Sequence, residues 1–153
     1  MDIKYINGFI NGLLNVCGTL GLSDMKRTGL AKREHLEIDK EVNIVQGMVG
    51  SLNGNVVLSM EDQTARNIAS LMMGGMEVAT LDMIPKSALC ELANMISGNS
   101  VAALGAQTEP VEMSPPTLVN GKRIVALVSL VETLEIQFSG ATGTLSLSIA
   151  LEG

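Results

Sequence analysis

Aromatic side chains are nearly missing from this chain. Its 153 residues include no Trp, one Tyr and two Phe. A surface that binds nucleic acid by stacking bases needs such rings, so that class is disfavoured at once. Basic charge is scarce too: ten Lys and Arg face sixteen Asp and Glu, for a net charge of −6. A protein that grips phosphate backbones ordinarily carries a basic patch. The densest cluster here is the pair of doublets Lys26-Arg27 and Lys32-Arg33. One histidine, two cysteines and no C-x-x-C leave no metal site to name. Cys17 and Cys90 sit among apolar residues at helical spacing and read as buried thiols. No stretch approaches the ~20 apolar residues of a membrane-spanning helix. The N-terminus lacks the basic leader and apolar run of a signal peptide. The expectation is a cytoplasmic protein with neither nucleic acid nor membrane as partner.

What is present is apolar. Hydrophobic residues make up 46% of the chain and charged residues 17%, which excludes disorder. With so few rings, the core must be built from Leu, Ile, Val and ten Met. The length fits one domain, 1–153, with a core of its own.

Periodicity gives the elements. Ile3, Ile6, Ile10, Leu13, Leu14, Cys17 and Leu20 recur at three- and four-residue steps, which predicts a helix over about 2–20. Gly8 and Gly12 weaken it intrinsically and imply close packing against another element. Residues 23–40, the most charged part, read as a loop with a short strand near Leu36 to Ile38. Val42, Ile44, Met48 and Leu52 then share one parity, Asn53-Gly54 offers a two-residue turn, and Val56, Leu58 and Met60 lead back. Asp62 is a candidate cap for a second helix that stops at Gly74-Gly75. A third helix starts near Asp82, with Pro85 in its first turn, and runs to about Leu104. Its packed face is Leu89, Leu92, Ala93, Ile96, Ser100 and Ala103.

The remainder reads as sheet. Ser114-Pro115-Pro116 is a rigid bend and Asn120-Gly121 a hairpin turn. Ile124 to Leu130 is a continuous apolar run, as in a strand covered on both faces. Leu134, Ile136 and Phe138 alternate with polar residues, Ser139 to Gly143 turn the chain, and Leu145 to Leu151 alternate again. The whole predicts an α+β domain with helices on one face of a mostly antiparallel sheet, in which a helix-plus-hairpin unit is used twice.

The chemistry has one candidate. Ser87, Glu91 and Asn94 stand at i, i+4 and i+7 of the third helix, a polar stripe distinct from its packed face. Elsewhere the usual machinery is missing. His35 lies in a charged loop, and no phosphate-binding loop or dinucleotide fingerprint occurs. An amide beside a carboxylate makes a poor nucleophile but can orient a water, because the amide both donates and accepts. Phosphoryl transfer rewards such positioning. The carboxylate could instead grip a lysine on another protein. On spacing alone the ordinary reading, a solvated helix face, is favoured.

The stripe also carries a resemblance. S-x-x-x-E-x-x-N over Ser87, Glu91 and Asn94, the continuation I-S-G-N-S, and Pro116, or Pro115, in S-P-P-T-L resemble the CheC/CheX/FliY superfamily of chemotaxis phosphatases, most of all its CheX branch. Pro116 falls one residue short of the usual interval. The order of elements matches over nearly the whole chain. The resemblance implies an enzyme that hydrolyses the aspartyl phosphate of a CheY-like response regulator. It assigns Asn94 to orient the attacking water and Glu91 to contact the regulator's active-site lysine, with Ser87 and Pro116 as accessory positions. It implies no cofactor or metal on this chain, Mg²⁺ being held by the regulator. It also implies a homodimer joined through sheet edges. The first helix has no matching Glu and Asn, so one site per chain is expected. The alternative is a non-catalytic module of the same fold that engages a response regulator or a flagellar switch protein.

Overall fold

The computed structural model describes residues 3–104 and 110–152. Three helices, α1 (Ile3–Thr19), α2 (Asp62–Met72) and α3 (Met83–Leu104), cover one face of a seven-stranded sheet. Residue 2 of the expected first helix lies outside the described residues. The central strands are two antiparallel hairpins: β3 (Val42–Gly50) with β4 (Gly54–Met60), and β8 (Thr133–Gly140) with β9 (Gly143–Leu151). They abut through β4 and β9, in a register that places Leu58 opposite Leu147. The expected reuse of a helix-plus-hairpin unit is thus built as two halves side by side. Beneath the helices, Phe9, Leu13, Ile44, Leu58, Leu89, Leu92, Ile96, Ile136, Phe138 and Leu147 form the main core.

The approach of α1 to α3 depends on small residues. A Cβ added at Gly12 would fall 2.9 Å from the backbone nitrogen of Ser100 and 3.0 Å from its Cα. At Gly8 it would meet only the side chain of Leu104, at 3.1 Å or more. Gly12 therefore lets the two backbones close in, while Gly8 leaves room for the Leu104 side chain.

Several expectations fail in instructive ways. Residues 26–33 are not loop but an edge strand, β1 (Lys26–Arg33), paired with β8. Its side chains are mostly exposed on both faces, so no alternation marks it. Asn53-Gly54 is not a two-residue turn. Met48 pairs with Gly54, and β3 runs on to Gly50 because it also pairs with β5 (Val111–Met113). The Asn53 amide instead ties the connection to Gly50. Asn120-Gly121 does not reverse the chain into a partner strand. β6 (Thr117–Asn120) pairs with β3, and the Gly121 N–H still donates to the Glu41 carbonyl. Asp62 is no cap: Glu61 takes the N-cap position, and the Asp62 N–H donates to the Glu41 carboxylate at 3.1 Å. That bond, first among its causes, holds the Glu41 carboxyl below the usual range.

The apolar run after Gly121 also departs from expectation. Its strand, β7 (Ala126–Ser129), forms a separate two-stranded ribbon with β2 (Leu36–Ile38). This ribbon lies on the sheet face away from the helices, over Val57 and Ala150. It is covered on one side only: Val125 is 71% exposed, Leu127 55% and Leu130 79%.

Candidate functional site

Helix α3 presents the stripe. Ser87, Glu91, Asn94 and Gly98 are exposed, while Leu89, Leu92, Ala93, Ile96 and Ser100 are buried. Ala103, expected in the packed face, is exposed; Ser97 and Leu104 are buried instead. The helix is anchored from beneath by α1, α2 and the sheet, so its outward face is held rigidly. Among the described residues Glu91 has no cation within ion-pair distance. The helix face is convex. Two cavities of about 350 and 560 Å³ lie elsewhere, one between α1 and the β1–β8 edge and one at the Met73–Pro85 connection; Glu91 and Asn94 line neither. A stripe on open surface offers a small molecule no walls of its own. No cluster of three or more His, Cys, Asp or Glu among the described residues is placed to hold a metal.

Asn94 is not a free surface amide. Its Oδ1 accepts a hydrogen bond from Gln46 Nε2 at 3.0 Å. Gln46 lies in β3 and is only 2% exposed. The same Nε2 donates to the Ser114 carbonyl at 3.1 Å, and Gln46 Oε1 accepts from the Ser97 hydroxyl at 2.6 Å. The buried amide is thereby satisfied on every side, as burial demands.

The local sequence explains why a carbonyl is available to it. β3 pairs with β6 through residues 42–45 and with β5 through residues 48–50. Between them, at Gln46 and Gly47, the neighbouring chain is the Ser114-Pro115-Pro116 bend. Two prolines in a row lack the N–H groups a ladder needs. Ser114 fills part of the gap: its N–H donates to the Gly47 carbonyl at 2.8 Å, and its hydroxyl accepts from the Gly47 N–H at 2.8 Å. With the hydroxyl standing in for a carbonyl, the Ser114 carbonyl turns to Gln46. Pro116, half-buried, closes the bend and starts β6 beside α3. The fold thus brings Asn94 and the proline bend to the same sheet edge, where Gln46 bridges them. Ser87 lies nearly two turns away along the helix.

Gln46 was not singled out from the sequence, and Ser97 and Ser114 entered only within I-S-G-N-S and the proline bend, with no role of their own. One signal was present: along the buried parity Val42, Ile44, Gln46, Met48, the apolar series is interrupted by one amide.

The family profile for chemotaxis phosphatase CheX matches residues 42–139, a span that includes the stripe, the bend and Gln46. The chain belongs to the CheX family. The CheY-P phosphatase CheX of Thermotoga maritima is 33% identical over 124 residues, covering 80% of this chain and 79% of that protein. Among solved structures, a CheC-like superfamily protein from Shewanella sp. PV-4 superposes with a TM-score of 0.88 at 26% identity, covering all of both chains. The Borrelia burgdorferi protein solved as a CheX–CheY–BeF3–Mg²⁺ complex gives 0.79 at 23% identity, over 99% of this chain and 100% of that one. CheX membership agrees with the α+β architecture: three helices over an antiparallel sheet.

Proposed function

We propose that this CheX-family protein is a phosphatase for the aspartyl phosphate of a CheY-like response regulator. The observation that carries the proposal is the pairing of an exposed Glu91 and an exposed, buttressed Asn94 on one rigid helix face. Kinship with a CheY-P phosphatase and with a CheX solved on CheY supports the substrate class.

The reaction asks little covalent chemistry of this chain. The oxygen of a water attacks phosphorus in line, and the bond from phosphorus to the regulator's aspartyl oxygen breaks. The bonding pair leaves with the aspartate as carboxylate, and the water's proton passes to the released phosphate. Mg²⁺ belongs to the regulator's acidic site, where it neutralises developing charge. What remains is placing the water, which a fixed carboxamide does without titrating. Asn94 takes that role. Glu91, three residues earlier and on the same face, pairs with a lysine of the regulator and sets the helix across the phosphorylated site. The proline bend at Pro116 holds the adjoining sheet edge in shape, and Ser87 extends the contact along the helix. The protein acts in the cytoplasm, where response regulators are phosphorylated.

The assembly is a homodimer. Val125, Leu127 and Leu130 put apolar surface beside the β2–β7 ribbon, and the β7 edge carries neither charge nor proline. Natural edges left unpaired are ordinarily blunted by such residues. A second copy covering this ribbon hides both features under two-fold symmetry.

The test is loss of phosphate from a panel of phosphorylated response regulators of the same organism, with and without the protein. Accelerated loss from one or a few supports the reading. Binding without acceleration of any would identify a non-catalytic module instead.

A further inference from the structure

The hydrogen-bond network behind Asn94 leads to a residue that the stripe does not contain. We infer that Gln46 is a positioning residue for the reaction: it fixes which way the Asn94 carboxamide faces. This inference rests on the phosphatase reading.

Donors and acceptors decide the orientation. The Ser114 carbonyl can only accept, so the Gln46 atom 3.1 Å away must be its NH₂. The Ser97 hydroxyl then donates to the remaining Gln46 oxygen at 2.6 Å. The second N–H of Gln46 points at Asn94, 3.0 Å away, and only the Asn94 carbonyl oxygen can receive it. The Asn94 amide is consequently held oxygen-inward and NH₂-outward. Without this anchor an exposed asparagine exchanges its two ends freely, since O and N differ little in size.

The outward NH₂ has a definite use. A water that accepts from it keeps its other lone pair for phosphorus. The flipped amide would present a carbonyl, which accepts a hydrogen bond from the water and leaves the water's lone pairs unrestrained. The Gln46 surroundings enforce the choice. Besides Ser97, they comprise Ile44, Val56, Leu58, Ala93, Ile96 and Leu147, around a cavity of about 10 Å³. That is at the lower limit for one water, and apart from Gln46 and Ser97 the lining is apolar, so there is little room for solvent to replace Gln46 as donor.

Three variants test the role. Gln46→Met keeps the volume and removes every hydrogen bond. Gln46→Glu keeps the shape and the acceptor for Ser97 but loses the NH₂ when ionised. Ser97→Ala loosens Gln46 from the opposite side. Single-turnover decay of a phosphorylated regulator against increasing phosphatase gives a saturating rate and a half-saturating concentration. A positioning role predicts a saturating rate ~10- to 100-fold lower in both Gln46 variants, an intermediate loss in Ser97→Ala, and an unchanged half-saturating concentration. The side-chain NH₂ resonances of Asn94 should pass from restrained to mobile in the same variants. Should both Gln46 variants fail to fold, Ser97→Ala decides by the same two readouts. A preserved rate, a loss confined to the half-saturating concentration, or unchanged Asn94 resonances overturns the inference. Failure of the underlying reading looks different: wild-type protein then accelerates no regulator, or Asn94→Ala costs nothing. If Asn94→Ala abolishes activity while Gln46→Met does not, Gln46 alone is refuted.

Discussion

Two glycines of α1 should respond to alanine with opposite signs. Gly18 is open, with no atom within 4 Å of an added Cβ. Gly18→Ala therefore keeps only the helix-propensity gain, about 0.5–1 kcal/mol. At Gly12 the same gain meets a collision. The added carbon falls 2.9 Å from the Ser100 nitrogen and 3.0 Å from its Cα, several tenths of an ångström inside ordinary contact. Backbone cannot rotate aside, so α1 and α3 must separate along a well-packed interface. Overpacking of this kind costs roughly 1–3 kcal/mol, which outweighs the propensity term. The net expectation is a loss of about 1–2 kcal/mol. For a domain of this size, each kcal/mol moves Tm by about 2–4 °C. Thermal melts should thus show Gly12→Ala several degrees below wild type and Gly18→Ala a degree or more above. Gly8→Ala should lie near neutral, because the Leu104 side chain it meets can yield. If Gly12→Ala is as stabilising as Gly18→Ala, the close approach of α1 to α3 is wrong, and with it the rigid support assigned to the site helix.

Glu91→Lys should weaken regulator binding by ~10-fold or more, measured by calorimetry or anisotropy, while Tm barely moves; charge reversal at a contact with lysine sets like charges together. A large fall in Tm would make Glu91 a structural residue. Sedimentation at micromolar concentration should find a dimer, and Leu127→Lys with Leu130→Asp should return monomers; a clean wild-type monomer defeats the assembly claim and leaves the site claim untouched. Burial first and Asp24 second push the Cys17 thiol up to about 11. Because the folded value exceeds the unfolded one, near 8.5, its stabilisation is full below that lower value and is lost as pH rises toward 11. Melts between pH 8 and pH 11 should therefore show a steeper decline for wild type than for Cys17→Val, and equal declines would contradict the buried thiol.

The helices were legible because each buries one continuous stripe against the sheet. Ile6, Phe9, Leu13 and Val16 in α1, and Leu89, Leu92 and Ile96 in α3, keep the period without interruption. The same regularity set Glu91 and Asn94 apart on α3. Strand β1 escaped because it is an edge strand exposed on both sides, so Lys26, Arg27, Lys32 and Arg33 gave it the look of a loop. Such charges are a common means of protecting an edge from unwanted pairing. The run Ile124 to Leu130 failed in the opposite direction: apolar residues on both parities implied two covered faces, and one is open within the monomer. The role of Gln46 escaped for a third reason, although its amide interrupts the buried parity of β3. Its value lies in three contacts 48, 51 and 68 residues distant in sequence, which only the folded sheet edge brings together.

Under the proposed function, Asn94 supplies the rate. The most direct measurement is the single-turnover decay of a phosphorylated CheY-like regulator mixed with saturating wild-type or Asn94→Ala protein, followed alongside the regulator alone. Removing one positioning group should cost the added rate ~100-fold or more. Asn94→Ala should therefore decay almost as slowly as the regulator alone, with its binding and its melting curve preserved. Near wild-type decay in the presence of Asn94→Ala would contradict the account.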